Sequence, residues 1–455
     1  MGHPRGLAVL CATEAWERFS YFGNSALLVL YMVQYLLRPG IAEGVLGLAA
    51  VKAALEFFTG PLAPQPLASQ LFGIYTGLAY CTPVLGGLVA DRLLGQRRTV
   101  LAGGMLMAAG HFLIAFETLL LIGLLLLILG IGAFKPNIST QVGALYSPDD
   151  RRRDRAFSLF YVGINVGAFL APLACGALAA KYGWHYGFGA AGIGMLLSLA
   201  VYLAGARFLP PDRMKLSRMP TDEEQGSNRN PSTRRSEKPS LGSAERRSVV
   251  AILATCATLT LFWAAYDQQA NTLVLWIEDF ADRAVDIGIW RGEIPATWFL
   301  ALNPLFIFVL TPVLVRRWAR QGESDVGQSP FRKMAFGAAC LALANMVMAI
   351  AAFVEAGKAN PLWLVGYFGL ATLGELHIAP IGLAFISKRA PAHLLSLLMG
   401  VWFATTLPAD LLAGYIGGFW SSMASAHFFL LIAMIAVAAS LALRLQGAMI
   451  GSLHR

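Results

Sequence analysis

Apolar residues run along this chain in long blocks, each ended by a short cluster of charged or turn-forming residues. A helix needs about 20 apolar residues to cross a bilayer. Twelve blocks meet that length, at about 8–36, 66–93, 98–116, 119–146, 155–180, 186–208, 248–280, 296–316, 331–354, 362–387, 393–419 and 423–445. The pattern therefore predicts an all-α polytopic membrane protein with twelve transmembrane helices. Segment 41–60 is also partly apolar, but it carries Glu43, Lys52 and Glu56. It reads as an outer loop with the lower part of an extended helix.

Composition narrows the class further. Of 455 residues, 57% are hydrophobic and 13% charged, against roughly 25% charged in soluble domains. This excludes a soluble enzyme, a disordered chain and a nucleic-acid module. The 46 Gly and 22 Pro suit membrane helices, which tolerate both and pack closely on small residues. Cys11, Cys81, Cys175, Cys256 and Cys340 all fall in apolar blocks, with no CxxC pair and no Cys/His ligand spacing. A disulfide framework, a metal site and a cofactor are not expected. The first block holds Glu14, Glu17 and Arg18, which is wrong for a cleavable signal.

The net charge of +9 is explained by orientation. With the N-terminus inside, 27 of the 35 Lys and Arg fall in inner segments and six in outer ones; Arg18 and Lys135 lie within spans. That bias predicts a multi-pass protein with both termini in the cytoplasm, and no nucleic-acid partner is needed to account for the charge.

A polar stretch rich in Ser, Pro, Arg and Glu, 209–247, separates six spans from six. It reads as a flexible cytoplasmic linker. The expected domains are a six-helix bundle over 1–208, the linker over 209–247 and a second six-helix bundle over 248–455. This layout resembles the major facilitator fold, whose two bundles rock around a central site. GGLVADRLLGQRR, after span 2, resembles the superfamily's inner-loop motif, with a degenerate counterpart, TPVLVRRWARQ, after span 8. In the first, Gly95 permits the turn, and Asp91 is placed to cap a helix end and pair with an arginine such as Arg97.

Charged residues within spans are costly and are functional candidates by default. Glu14, Glu17, Arg18 and Tyr21 stand at i, i+3, i+4 and i+7 and share one helix face. One guanidinium can pair fully with one carboxylate, which leaves the other as a group able to take and lose a proton. The competing reading puts Glu14 in solvent at the inner surface, beside a static Glu17–Arg18 pair. Lys135 precedes Pro136 deep in span 4, where it calls for a carboxylate partner or snorkels inward. Asp267 and Glu375 have apolar flanks. They fit as partners of Lys135, as proton sites or as protonated packing acids. Asp410 lies nearer the outer end of span 11. His111 and His377 also lie in spans, His377 two residues from Glu375.

Six motifs, in order and on successive spans, resemble the proton-dependent oligopeptide transporters (POT/PTR) of the major facilitator superfamily. They are EAWERFSYFG from Glu14, FKPNISTQVGALY followed by RRDRAFSLFYVGINVGAFLAPLACG across spans 4 and 5, FWAAYDQQ, LNPLFIF, GELHIAPIGLAFISKRAP and MGVWF. The resemblance implies a proton-coupled symporter that takes up di- and tripeptides by alternating access. It also implies a monomer, a bacterial inner membrane, a proton gradient as driving force and no enzymatic activity. The alternative is a relative adapted to another substrate, such as a peptide-like drug, an amino acid or nitrate.

By position, the resemblance assigns Glu14, Glu17, Arg18 and Asp267 to proton coupling. Arg18 and Lys135 would face a peptide's carboxylate and Glu375 its amine. Asn165 and Asn303 would bond its backbone, and Tyr21, Tyr80, Tyr161, Trp263 and Trp402 would line pockets. The chain also departs from the family pattern. Phe22 stands where a second Tyr is usual, and Ser25 where bacterial members often carry an Arg that pairs with the span-7 acid. That acid is Asp267 rather than Glu, and Asp410 is an added acid. Without the Arg, Asp267 must be protonated or find another partner. The polar linker cannot encode two further helices, so twelve spans are expected rather than fourteen.

Overall fold

The structure, a computed structural model, describes residues 2–147, 149–150, 152–211, 242–286, 291–321, 330–355 and 357–452. Most of the expected linker lies outside the described residues.

Among the described residues, twelve long helices occur where the apolar blocks predict them. They are α1 Arg5–Tyr31, α2 Pro64–Leu94, α3 Gln96–Ile114, α4 Leu120–Ala144, α5 Arg152–Tyr182, α6 Trp184–Ala204, α7 Ser243–Tyr266 resuming as Val274–Phe280, α8 Leu302–Gln321, α9 Pro330–Val354, α10 Leu362–Arg389, α11 Leu395–Ala404 and Thr406–Gly417, and α12 Ser425–Ser452. Within lipid, every backbone polar group must be satisfied inside its own segment, which is why apolar blocks of this length become helices. The helices form two bundles. In the first, α1 packs on α5 and α6, and α3 on α4; in the second, α9 packs on α10 and α12, and α7 on α11 and α12.

Two features differ from expectation. Segment 41–60 does not extend a span. Leu48–Thr59 is a separate short helix between Gly47 and Gly60, whose φ values of 80° and 79° break the helical path at each end. Its charges are partly spent locally: Lys52 lies 3.7 Å from Glu56, and Glu56 accepts a 2.8 Å bond from the Leu62 amide. Between α7 and α8, a small antiparallel hairpin pairs β1 Ala284–Asp286 with β2 Arg291–Glu293. Nothing in the apolar pattern marks it.

The bundles meet mainly along α2 against α11 and α5 against α8. The α2–α11 contact depends on absent side chains, because a Cβ at Gly414 would lie 2.7 Å from the Ser69 carbonyl oxygen. Hydrogen bonds between the bundles reinforce these seams. The Gln65 amide donates to Gly417 O (2.9 Å) and Ser69 Oγ to Asn271 Oδ1 (2.7 Å). Thr297 Oγ1 donates to Pro172 O (3.2 Å) and Trp298 Nε1 to Leu173 O (2.9 Å). All four lie toward the end of the molecule where α2 and α8 begin.

Candidate substrate cavity and proton site

A cavity of about 360 Å³ lies between the bundles, within the usual size range of small-ligand pockets. The first bundle contributes Tyr21, Phe22, Ser25, Thr76, Tyr80, Tyr161 and Asn165 to its wall. The second contributes Trp263, Tyr266, Asp267, Asn303, Glu375 and Asp410. Residues far apart in the chain are thus gathered in one chamber.

On α1 the helical spacing brings the charged face inward. Arg18 grips Glu17 in bidentate fashion, Nε to Oε2 at 2.5 Å and Nη2 to Oε1 at 2.6 Å. Glu14 Oε1 lies 3.5 Å from Arg18 Nε, and Glu14 Oε2 has no hydrogen-bond partner among the described residues. All three side chains are buried, and Glu14 is 2% exposed, so the solvated reading of Glu14 is set aside. One guanidinium saturates one carboxylate and leaves a second beside it with an unused oxygen.

Neither cation of the first bundle belongs to the described lining of this cavity. Arg18 stands 5.0 Å from the centroid of the Tyr21 ring, and the Lys135 ammonium 3.8 Å from that of Tyr80. Both rings line the cavity, so each cation rests against an aromatic wall, a favourable contact for a desolvated charge. Lys135 makes no ion pair among the described residues. Asp267 and Glu375, which the sequence had allowed as its partners, form no ion pair with it.

Glu375 is held instead within its own bundle. Its Oε2 accepts from the Tyr266 hydroxyl at 2.5 Å and from the Asn303 amide at 3.0 Å. The same Asn303 nitrogen lies 2.8 Å from Tyr266 Oη and 3.0 Å from Thr372 Oγ1. Three helices thereby fix one carboxylate at the cavity wall. Tyr266 and Thr372 were not singled out from the sequence. Tyr266 is adjacent to Asp267, and both side chains line the cavity. Across the cavity, Asn165 donates to its own helix at Tyr161 O (2.9 Å) and still lines the wall.

Other expected positions fall elsewhere. Trp402, expected to line a pocket, is buried in the core, and its ring fills the space left by the missing side chain of Gly382. Of the α2 tyrosines, Tyr75 is buried and stacks on Tyr21 at 6.4 Å, while Tyr80 lines the cavity. His377 faces away from Glu375, toward a second cavity of about 550 Å³ that also carries Arg317, Arg332 and Arg444. It sits edge-on between Trp318 and Phe336, which gives no route for a relay to Glu375. His111 is fully buried in α3. In the inner loop, Gly95 takes φ 80° and Arg97 donates to Pro210 O at 3.0 Å and Leu209 O at 2.5 Å. The guanidinium thus fastens the loop to the end of the first bundle. Asp91 is exposed and makes no ion pair among the described residues, so the expected pairing with an arginine does not form.

Two helical bundles enclosing a central cavity with buried ionisable groups define a secondary transporter of the major facilitator fold. The chain matches the POT family over residues 97–223 and 233–431. It is 35% identical to the peptide transporter YePEPT of Yersinia enterocolitica, across 92% of this chain and 88% of that one. It is 31% identical to the di-/tripeptide transporter of Lactococcus lactis subsp. cremoris, across 96% and 93%. A crystal structure of a peptide transporter POT in complex with sulfate superposes with a TM-score of 0.81 at 30% identity, covering 100% of this chain and 96% of that one. The chain belongs to the POT family of membrane transporters.

Proposed function

We propose that this chain is a proton-coupled symporter that takes up di- and tripeptides by alternating access. The observation that carries the proposal is the division of charge about the cavity. Glu375 is fixed on one bundle by Tyr266 and Asn303, and the buried cations Arg18 and Lys135 stand behind the aromatic wall of the other. A zwitterion the length of a short peptide suits that layout, with its amine at Glu375 and its carboxylate drawn toward the cations once Tyr21 and Tyr80 move. The relatives named as peptide and di-/tripeptide transporters support the same substrate class. Tyr161, Trp263, Asn165 and Asn303 supply the remaining contacts.

Glu14, beside the saturated Glu17–Arg18 pair, and Asp267 are the proton-coupling carboxyls in this reading. No cofactor is required, since each charge moved down the membrane potential supplies about 2.3 kcal/mol per 100 mV. The bias of 27 basic residues to six supports cytoplasmic termini, and the bacterial relatives support an inner-membrane location. We place the bundles at 1–208 and 248–455, with 209–247 as linker. The protein acts as a monomer, because one chain completes the cavity, and it performs transport without an enzymatic step.

The test is uptake of labelled dialanine into proteoliposomes at two external pH values, with unlabelled dipeptides, single amino acids and nitrate as competitors. Faster uptake at the more acidic exterior, with competition from dipeptides alone, is expected. Competition from nitrate or an amino acid without competition from dipeptides would overturn the peptide reading. Tyr266→Phe removes a donor to Glu375, and a hydrogen bond to a charged group contributes about 1.5–3 kcal/mol. The KM for dialanine should therefore rise about tenfold or more, while the melting temperature of the purified protein stays near that of the wild type.

A further inference from the structure

The second cavity, of about 550 Å³, lies on the other side of α10 from the substrate chamber. Glu375 and His377 stand two residues apart on that helix, which turns their side chains to opposite faces, about 200° apart. Glu375 faces the substrate chamber and His377 this recess. His377 is buried, and its ring packs edge-on against Trp318 of α8 and Phe336 of α9, at 5.5 and 5.0 Å between centroids. Its Nδ1 donates to the Leu373 carbonyl at 2.8 Å, and its Nε2 has no hydrogen-bond partner among the described residues. His377 precedes the end of α10 at Arg389 by twelve residues, about 18 Å along the helix. The recess therefore reaches well into the span.

Its rim is cationic. Arg317 of α8, Arg332 and Lys333 of α9 and Arg444 of α12 all line it, and among the described residues no Asp or Glu does. Arg317, Arg332 and Arg444 are exposed and make no ion pair or side-chain hydrogen bond among the described residues. The bias of basic residues toward one membrane face accounts for their presence. It does not account for their convergence, since like charges around one recess repel unless an anion lies between them. The planar fork of a guanidinium fits two oxygens of a phosphate at once.

The surface beside the cations decides which phosphate suits them. On α8, Val313 and Val309 stand four and eight residues before Arg317; on α12, Leu441 and Val437 stand three and seven before Arg444. On α9, Phe336 and Leu343 stand four and eleven after Arg332. All six are exposed, and the helical period puts each pair on the same face as the cation of its helix. Each arginine therefore ends an apolar stripe that runs toward the middle of the span. A phosphate that carries acyl chains matches both the rim and the stripes; a free phosphate matches the rim alone.

We propose that this recess binds the headgroup of an anionic phospholipid, with its phosphate among Arg317, Arg332 and Arg444 and its acyl chains along the exposed faces of α8, α9 and α12. With the termini in the cytoplasm, the lipid belongs to the inner leaflet. It bridges α8 to α9 and α12 and covers His377 of α10. Since α8 and α10 also carry Asn303 and Glu375 of the substrate wall, the lipid braces the helices that hold that wall. The site stands whatever the substrate chamber carries.

Native mass spectrometry of the full chain in detergent, titrated with phosphatidylglycerol or phosphatidylcholine, tests the site without any substrate. Wild type should bind phosphatidylglycerol the more tightly. Each basic residue beside an anionic headgroup contributes about fivefold in affinity. Arg317→Gln/Arg444→Gln should therefore weaken phosphatidylglycerol roughly 25-fold and leave phosphatidylcholine unchanged. Arg98→Gln/Arg155→Gln, which removes the same charge from the first bundle, should bind both lipids as wild type does. An equal loss in the two double variants would reduce the effect to general surface charge and overturn the proposal, as would a wild type that does not distinguish the lipids. Inorganic phosphate at constant ionic strength should leave the bound lipid in place; its displacement would make the recess a site for free phosphate and overturn the lipid assignment. If Arg317→Gln/Arg444→Gln does not fold, the single substitutions decide, each with an expected loss of about fivefold.

Discussion

Glu17→Gln is expected to abolish pH-driven peptide uptake in proteoliposomes, reducing it to the level of empty vesicles, while counterflow exchange remains measurable. Glu17 accepts both short bonds from Arg18 at 2.5 and 2.6 Å, and it is buried. Removing one partner of a buried ion pair costs about 3–5 kcal/mol, because the other charge is left uncompensated. Here a second acid is at hand. Glu14 Oε1 already lies 3.5 Å from Arg18 Nε, and in the variant it becomes the only carboxylate left to neutralise the guanidinium. A carboxylate held in that way no longer cycles a proton. Coupling is lost, while the substrate wall, built from other residues, still admits peptide for exchange. Driven uptake at the wild-type rate would remove the α1 cluster from the coupling mechanism.

Glu375→Ala is expected to raise the KM for dialanine by about thirtyfold or more, which corresponds to roughly 2 kcal/mol, the lower end of the cost of truncating one member of a buried charge pair. The variant also strands the Tyr266 hydroxyl and the Asn303 amide, both of which point at Glu375 Oε2. The discriminating measurement is competition by N-acetyl-dialanine, which lacks the cationic amine. Wild type should prefer the free peptide strongly, and Glu375→Ala should bind the two almost equally. A preserved preference would mean that the amine is recognised elsewhere, with Asp267 and Asp410 the other acids in the same wall.

Parts of this site are legible in the sequence because they are local. A helix turns by a constant angle per residue, so Glu14, Glu17, Arg18 and Tyr21 must share a face. Their burial is not legible in the same way: the sequence allowed a solvated Glu14, and the packing of the bundle buries it. The depth of Lys135 in its block is legible too, but the sequence left both a carboxylate partner and snorkelling open, and the structure sets it over the Tyr80 ring. The separate helix Leu48–Thr59 is less so, since its limits depend on Gly47 and Gly60 adopting positive φ, and glycine permits that conformation without requiring it. Trp402 shows the opposite limit. An aromatic ring in a helix serves equally well for a cavity wall or a core, and here the space at Gly382 takes it into the core.

The number of spans, their division six and six and the charged face of α1 all follow from period and length. These are properties of a helix taken alone in a membrane. Which acid meets which partner is not such a property. Glu375 lies against Tyr266 and Asn303, and the backbone of Asp410 lies against α2, because α2 and α11 approach over bare glycine backbone at Gly73 and Gly414. The free energy that settles those pairings is shared among many helix contacts. No short stretch of sequence contains it, and only the packed bundles decide which groups meet.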